Sequence, residues 1–459
     1  MRGRTSRQRG PVDSQPRGLL SIVGSTAMIK VLVMGVSGLL GIMTSRLIIV
    51  EFGTDAYAQY GLLATMPNLL PFADLGIAAV VINAVAGSKS PNTDDYVRRA
   101  ILTALRILMV SGLIFVAISV ALYALGWWPT ILGNGLMPGG GALAASVCLA
   151  IFGLALPLSI GQRILVGMQR TGTQVLSQIV VAPIILLAVL ISIAMAAPAG
   201  SFLAIFSYIA SAVNSIVCLF IAARLISPQL KLAFRAIPRV KKFPGVKASH
   251  LALPMLFQMI ALPVAMQTDR LLLSHLTTGD QLAQYNLGSQ LYGIVIQTIA
   301  AAGIALWPIY AKARSDSRIE SPLKPTLWFT AGGLALGAAL AILSPFVVDF
   351  ISGGKIQLDG WLIAGFVVFV GLQAAKYPVG MYMTDHVGLR FQTIPIFIMV
   401  PLNLGLSWWL IHLIGAGGPI IGSAISVAVC QLGPNIWYVR RDLRKRRMES
   451  STPVMAENP

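Results

Sequence analysis

Apolar residues dominate twelve long stretches of the chain, near 19–48, 57–86, 100–125, 141–161, 175–197, 201–224, 250–274, 284–310, 327–350, 361–383, 393–414 and 418–439, with short polar turns between them. Many of these runs reach the ~20 residues a helix needs to cross a bilayer core. The ~10-residue alternation of a barrel strand is absent. The pattern predicts an all-α integral membrane protein of twelve transmembrane helices, runs 1 to 12. Six runs precede the polar segment Ser227–Lys247 and six follow it. The expected layout is a tail over 1–18, a six-helix bundle over 19–226, a linker over 227–247, a second bundle over 248–440 and a tail over 441–459. An even number of runs per half gives both halves the same orientation, related by a pseudo-two-fold axis along the membrane normal.

A repeat supports this division. Thr44–Tyr60, TSRLIIVEFGTDAYAQY, returns as Thr268–Tyr285, TDRLLLSHLTTGDQLAQY, with one residue inserted. Both copies keep Thr-x-Arg-Leu, an Asp three residues before Ala-Gln-Tyr, and the Ala-Gln-Tyr itself. Each copy joins the end of one apolar run to the start of the next. A fainter echo links Val166-Gly-Met-Gln-Arg170 to Val387-Gly-Leu-Arg390. Two matches in register point to an internal duplication.

Composition agrees with a membrane protein: 56% of the 459 residues are hydrophobic and 11% charged, against roughly 25% charged in a soluble domain. The net charge of +18 raises the possibility of nucleic acid, but its placement excludes it. All of the 34 Lys and Arg except Lys30, Arg46, Arg106, Arg270, Lys355 and Lys376 fall in the tails or in alternate turns. The positive-inside rule then puts both termini in the cytoplasm. The Arg-rich start reads as a cytosolic tail rather than a cleaved signal. Cys148, Cys218 and Cys430 all lie within apolar runs, so neither a disulfide nor a metal site is expected. Nucleotide-binding and zinc-protease motifs are absent, and the longest outer turn, near Gly126–Gly140, is too short for a catalytic domain. The chain reads as a transporter without an ATPase of its own, with no catalytic residues.

Charges inside a membrane are the best leads to its site, since each costs at least about 2.5–3.5 kcal/mol to place there. Lys30 lies roughly 16 Å into run 1 at helical rise and shares a face with Met34, Ser37, Gly41 and Thr44. It reads as a cationic contact in a cavity, against a lysine that snorkels or pairs in a helix interface. Arg46 and Arg270 are matched within the repeat, and a guanidinium fork suits phosphate; interface anchoring fits them equally. Lys376 in run 10 shares a face with Gln373 and Gly380. In run 8, Asn286, Gln290, Gly293 and Gln297 fall on one face, either lining a wet cavity that contacts sugar hydroxyls or joining helices. Ser207, Ser211 and Asn214 make a weaker polar face in run 6, read as packing. Asp74 follows Pro67 and Pro71, a combination that breaks a helix beside a buried acid. It is a candidate for ion coupling, or half of a static pair with Lys30 or another cation. Asp269 is the second coupling candidate, or a local counter-charge to Arg270.

Phe72-Ala-Asp-Leu-Gly-Ile77, Arg163-x-x-x-Gly-Met-Gln-Arg170 and Thr268-Asp-Arg with Ala-Gln-Tyr285, taken with the six-plus-six repeat, resemble the Wzx-type polysaccharide flippases of the superfamily that includes the MATE exporters. The resemblance implies a V-shaped pair of bundles working by alternating access. Its implied cargo is an undecaprenyl-diphosphate-linked oligosaccharide, moved from the inner to the outer leaflet of a bacterial inner membrane. Lys30, Arg46, Arg270 and Lys376 correspond in kind to the cations of that family's cavities. The expected partners are this lipid-linked glycan, membrane lipids and a polysaccharide polymerase or chain-length regulator, with the chain itself a monomer. No cofactor is expected beyond coupling to a proton or sodium gradient. A lipid II flippase and an ion-coupled MATE-like antiporter are the alternatives; the first usually carries two further helices, and the second is expected to line its cavity with acids.

Overall fold

The computed structural model describes residues 17–239, 268–304, 306–315, 318–384 and 386–451. Among these the chain is helical, with turns and no strand. Eight helical stretches among them are long and apolar enough to cross a membrane. One of the eight, Arg390–Met448, contains both run 11 and run 12. Run 2 is absent from the eight because it is interrupted. Run 8, Gly279–Ile304, carries the amide face that lowers its hydropathy. Most of run 7 lies outside the described residues, which take it up at 268.

Small residues set the closest helix contacts. A Cβ on Gly112 of run 3 (Asp95–Ala124) would meet the Gly153 carbonyl at 2.3 Å, and one on Gly153 of run 4 would meet the Gly112 carbonyl at 2.6 Å. Reciprocal contact of this kind lets two backbones touch where lipid offers no hydrophobic drive. Gly112→Leu is expected to cost about 1–3 kcal/mol, read as a lower midpoint of thermal unfolding in detergent.

Run 2 breaks where its prolines predict. Helix Thr54–Thr65 gives way to short 3-10 turns at Met66–Leu69 and Pro71–Asp74, and helix resumes at Ile77–Gly87. Pro67 and Pro71 carry no N–H to continue the ladder, and Leu75 and Gly76 turn the chain at φ 50° and 70°. Freed backbone groups inside a membrane need new partners. Ser111 Oγ donates to the Ala73 carbonyl at 2.5 Å, and the Gly76 N–H donates to Asp74 Oδ1 at 3.0 Å.

Beyond run 6 (Leu203–Leu225) a short amphipathic helix, Gln229–Ala236, packs along run 3 and buries Leu230, Ala233 and Ala236. Arg106 reaches from run 3 to its C-terminal end, donating to the carbonyls of Ala236 and Ile237 at 3.0 and 3.2 Å. A cation there favours the negative end of the helix dipole. The start of the linker is thereby anchored to the N-terminal half.

Candidate functional site

The two repeat copies meet at the end of the molecule away from the Lys- and Arg-rich turns, the outer end by the positive-inside reading. Thr54 Oγ1 donates to Asp280 Oδ1 at 3.1 Å, and a Cβ on Gly279 would come within 2.6 Å of the Asp55 carboxylate. The turn of one copy therefore lies on the turn of the other. Each copy also uses its repeated glutamine in the same way. Gln59 Oε1 accepts from the Met137 N–H at 2.6 Å, and Gln284 Oε1 accepts from the Asp359 N–H at 3.3 Å. The first fixes run 2 to the loop between runs 3 and 4. The second fixes run 8 to the loop between runs 9 and 10. Equivalent glutamines gripping equivalent loops are what a duplicated fold produces.

Further cross-half contacts close this end into a seam. Ser45 Oγ and Tyr57 OH donate to Gln290 Oε1 at 2.7 and 2.9 Å. Asn286 Nδ2 donates to the Ala58 carbonyl at 3.2 Å. Lys355 Nζ donates to the carbonyls of Ile49 and Val50 at 3.1 and 2.7 Å. Those two carbonyls belong to a π-helical turn, Ile48–Phe52, and His275 Nε2 lies 3.0 Å from the Thr130 carbonyl. The deepest side-chain approach across the seam among these is at Gly38, where a Cβ would stand 3.2 Å from Ile294. Among the described residues the cross-half hydrogen bonds gather at the outer end, so the halves are sealed there.

This geometry bears on readings that the sequence left open. The run 8 amide stripe does not line one wet cavity. Asn286 is buried and bonded, Gln290 is bonded across the seam, and only Gln297 is exposed. Its upper part joins helices because amides offer the donors and acceptors a dry contact needs. The matched arginines have different partners. Arg46 stacks on the Phe350 ring, 4.3 Å from its centroid, while Arg270 turns along run 8. Asp74 makes the static pair with a cation that was one of its two readings, with Arg163 of the helix Ile160–Gly167 at 3.3 Å; the side chain of Lys30 lies outside the described residues.

Arg270 Nε donates to Asn286 Oδ1 at 2.7 Å and its Nη2 to Ser289 Oγ at 2.5 Å. One planar fork satisfies two partners, which an ammonium on a flexible stem does not reproduce. Arg270→Lys is expected to loosen this packing although the charge is kept, read as a lower midpoint of thermal unfolding in detergent, with Arg46→Lys milder. Lys376 is half-buried on run 10 (Gly360–Tyr382); its Nζ stands 6.0 Å from the Tyr377 ring centroid.

Asp269 occupies a different setting. It is 4% exposed and points into the C-terminal half. Tyr285 OH donates to Oδ2 at 2.9 Å, Ser423 Oγ to Oδ2 at 3.3 Å and Ser407 Oγ to Oδ1 at 3.5 Å. Both serine hydroxyls also lie 3.2 Å from Asn403 Oδ1. Among the described residues no basic side chain forms an ion pair with this carboxylate. The sequence reading named Asp269 but missed Asn403, Ser407 and Ser423; the i, i+4 spacing of Asn403 and Ser407 on run 11 was the available signal. In the N-terminal half, Ser207 and Ser211 line a cavity of about 210 Å³ at the break of run 2, with Gln162, Tyr208 and Ser215 beside them. Asn214 packs out of it, 6% exposed.

No protein-family model matches the sequence, and no curated relative does. Solved structures do match in shape. A multidrug resistance MATE family transporter of the MOP superfamily in its inward-facing conformation superposes at a TM-score of 0.67, with 13% identity over 93% of this chain and 100% of that one. The fold is that of the MATE transporters. The lipid II flippase MurJ in an inward closed conformation is similar at 0.65, 13% identical over 92% of this chain and 90% of its own. A MOP superfamily transporter from Pyrococcus furiosus gives 0.59 at 14% identity, covering 93% and 96%. An outward-facing conformation of a multidrug resistance MATE family transporter gives 0.56 at 13% identity, covering 93% and 96%. With its apolar helices, this MATE fold makes the chain a multi-pass membrane protein.

Proposed function

We propose that the protein is a flippase that carries an undecaprenyl-diphosphate-linked oligosaccharide from the inner to the outer leaflet of a bacterial inner membrane, for synthesis of a surface polysaccharide. Twelve spans in two six-helix bundles rock about the cleft, and parting of the outer seam releases the cargo. One observation carries the choice of an anionic cargo. Of the cations singled out within the spans, the three whose side chains are described have neutral direct partners: Arg46 an aromatic ring, Arg270 an amide and a hydroxyl, Lys376 an aromatic ring. Asp269, beside Arg270 in the chain, offsets part of that arginine's charge. The acid of the N-terminal half, by contrast, is paired with Arg163. Positive charge held among neutral groups in a membrane favours an anion, as two phosphates supply, and disfavours a cationic drug.

Energy enters through Asp269 rather than Asp74. A buried carboxylate ringed by hydroxyls and an amide oxygen takes up a proton or a sodium ion with little rearrangement, whereas Asp74 already holds a cation. The test is depletion of the protein in its own cell. Diphosphate-linked oligosaccharide is expected to accumulate on the cytosolic leaflet, Lys376→Arg to restore export and Lys376→Ala to fail. Depletion without such accumulation, or with sensitivity to cationic drugs instead, would return the protein to the antiporters.

A further inference from the structure

The cytosolic end of run 12 continues as a helix, Gly433–Ser451, well past the apolar run. Together with the start of run 11 (His386–Ile414) it walls an open cleft of about 1070 Å³. Five basic side chains line it against one acid, Asp442. That acid is already engaged, accepting from Tyr382 OH at 2.6 Å and Arg446 Nε at 2.8 Å. Arg440, Arg441 and Arg444 have no acid partner among the described residues, so their charge is turned to the cleft.

The floor of the cleft is aromatic. Phe391 packs on Trp437 and Tyr438, with centroids 6.1 and 4.8 Å apart. Trp437 is 55% exposed and Val387 61%, a costly arrangement in water but an ordinary one at the depth of lipid headgroups, where amphipathic rings collect. Arg441 lies one helical turn further out, its guanidinium 5.5 Å from the Trp437 ring centroid. Arg444 follows at i+7 on the same face. At helical rise these two stand about 6 and 10 Å beyond the tryptophan, which is where lipid phosphates lie when the ring sits at the headgroup boundary. Exposed apolar surface below and guanidinium forks above match an acyl chain and its phosphate.

We propose that this cleft binds the headgroup phosphate of an anionic membrane phospholipid, with an acyl chain along Val387, Phe391 and Trp437. A soluble anion would leave the apolar floor uncovered. The flipped cargo is the other lipid phosphate at hand, but runs 11 and 12 contribute none of the described cross-half contacts, so the cleft stands apart from the path between the halves. The site holds whichever solute the protein moves.

Native mass spectrometry of the purified full-length protein tests this, with phosphatidylglycerol and phosphatidylcholine of identical acyl chains as probes. Wild-type protein is expected to retain phosphatidylglycerol preferentially. Arg441→Ala with Arg444→Ala is expected to lower that preference roughly 30-fold, with an unchanged unfolding midpoint in phosphatidylcholine. Arg441→Lys with Arg444→Lys, which keeps the charge, is expected to retain most of it. Equal retention of the two lipids overturns the proposal, as does a preference that survives the double alanine change. Competition by inorganic phosphate at equal concentration makes this a soluble-anion site, and displacement by a polyprenyl diphosphate far below the phosphatidylglycerol concentration makes it a cargo port; either result also overturns it.

Discussion

Joining residues 54 and 280 through a short bis(methanethiosulfonate) reagent, after Thr54→Cys and Asp280→Cys, is expected to abolish transport, and reduction of the two disulfides to restore it. The side chains of these residues touch across the seam at 3.1 Å, on turns that belong to opposite copies of the repeat. If cargo leaves at the outer end, this contact must part in every cycle. A covalent tether there holds the halves in the arrangement described, whatever the state of the inner side. Cys148, Cys218 and Cys430 are buried, so the introduced thiols react first. The uncross-linked double variant is expected to transport at near the normal rate, because a single exposed hydrogen bond contributes only about 1 kcal/mol. Full transport by the tethered protein, with cross-linking verified by mass, would mean that the outer seam never opens and that alternating access is wrong.

The second large effect is expected at Asp269. Asp269→Asn keeps the volume and a hydrogen-bonding oxygen for Tyr285 and Ser423, but removes the carboxylate proposed to take up a proton or sodium ion. Transport driven by an imposed gradient is expected to fall at least roughly tenfold, about 1.4 kcal/mol on the barrier, and to lose its response to the gradient. Stability is expected to hold or rise, since an unpaired charge buried among hydroxyls costs free energy that a neutral amide does not. Reconstituted vesicles with separate proton and sodium gradients distinguish the two ions. Gradient-driven uptake at the wild-type rate would remove Asp269 from the coupling mechanism.

The repeat shows how far the sequence reaches. Its two copies were legible as a duplication, and their place at the outer end followed from charge placement. Their contact with each other was not legible, because it depends on how helices far apart in the chain pack together. The copies also differ at one informative position. Where the first has Ser45, the second has Asp269. Ser45 reaches across to Gln290, while Asp269 turns inward to Tyr285, Ser407 and Ser423. A substitution that looks minor in an alignment of the halves thus gives the C-terminal half a buried acid that the first half lacks there.

Local chemistry decided what the sequence determined by itself. Apolar runs of bilayer length, prolines that must break run 2 after Thr65, basic turns that sort to one side and an internal repeat each follow from what a few neighbouring residues can do in lipid. Tertiary structure decided the pairings. Asp74 could have met any of several cations, and packing of the helix Ile160–Gly167 against the broken run 2 chose Arg163. The amides of run 8 could have faced water or another helix, and closure of the outer end placed Asn286 and Gln290 in a dry seam. Such choices belong to side chains far apart in the chain, whose partners are fixed only when the helices carrying them have packed.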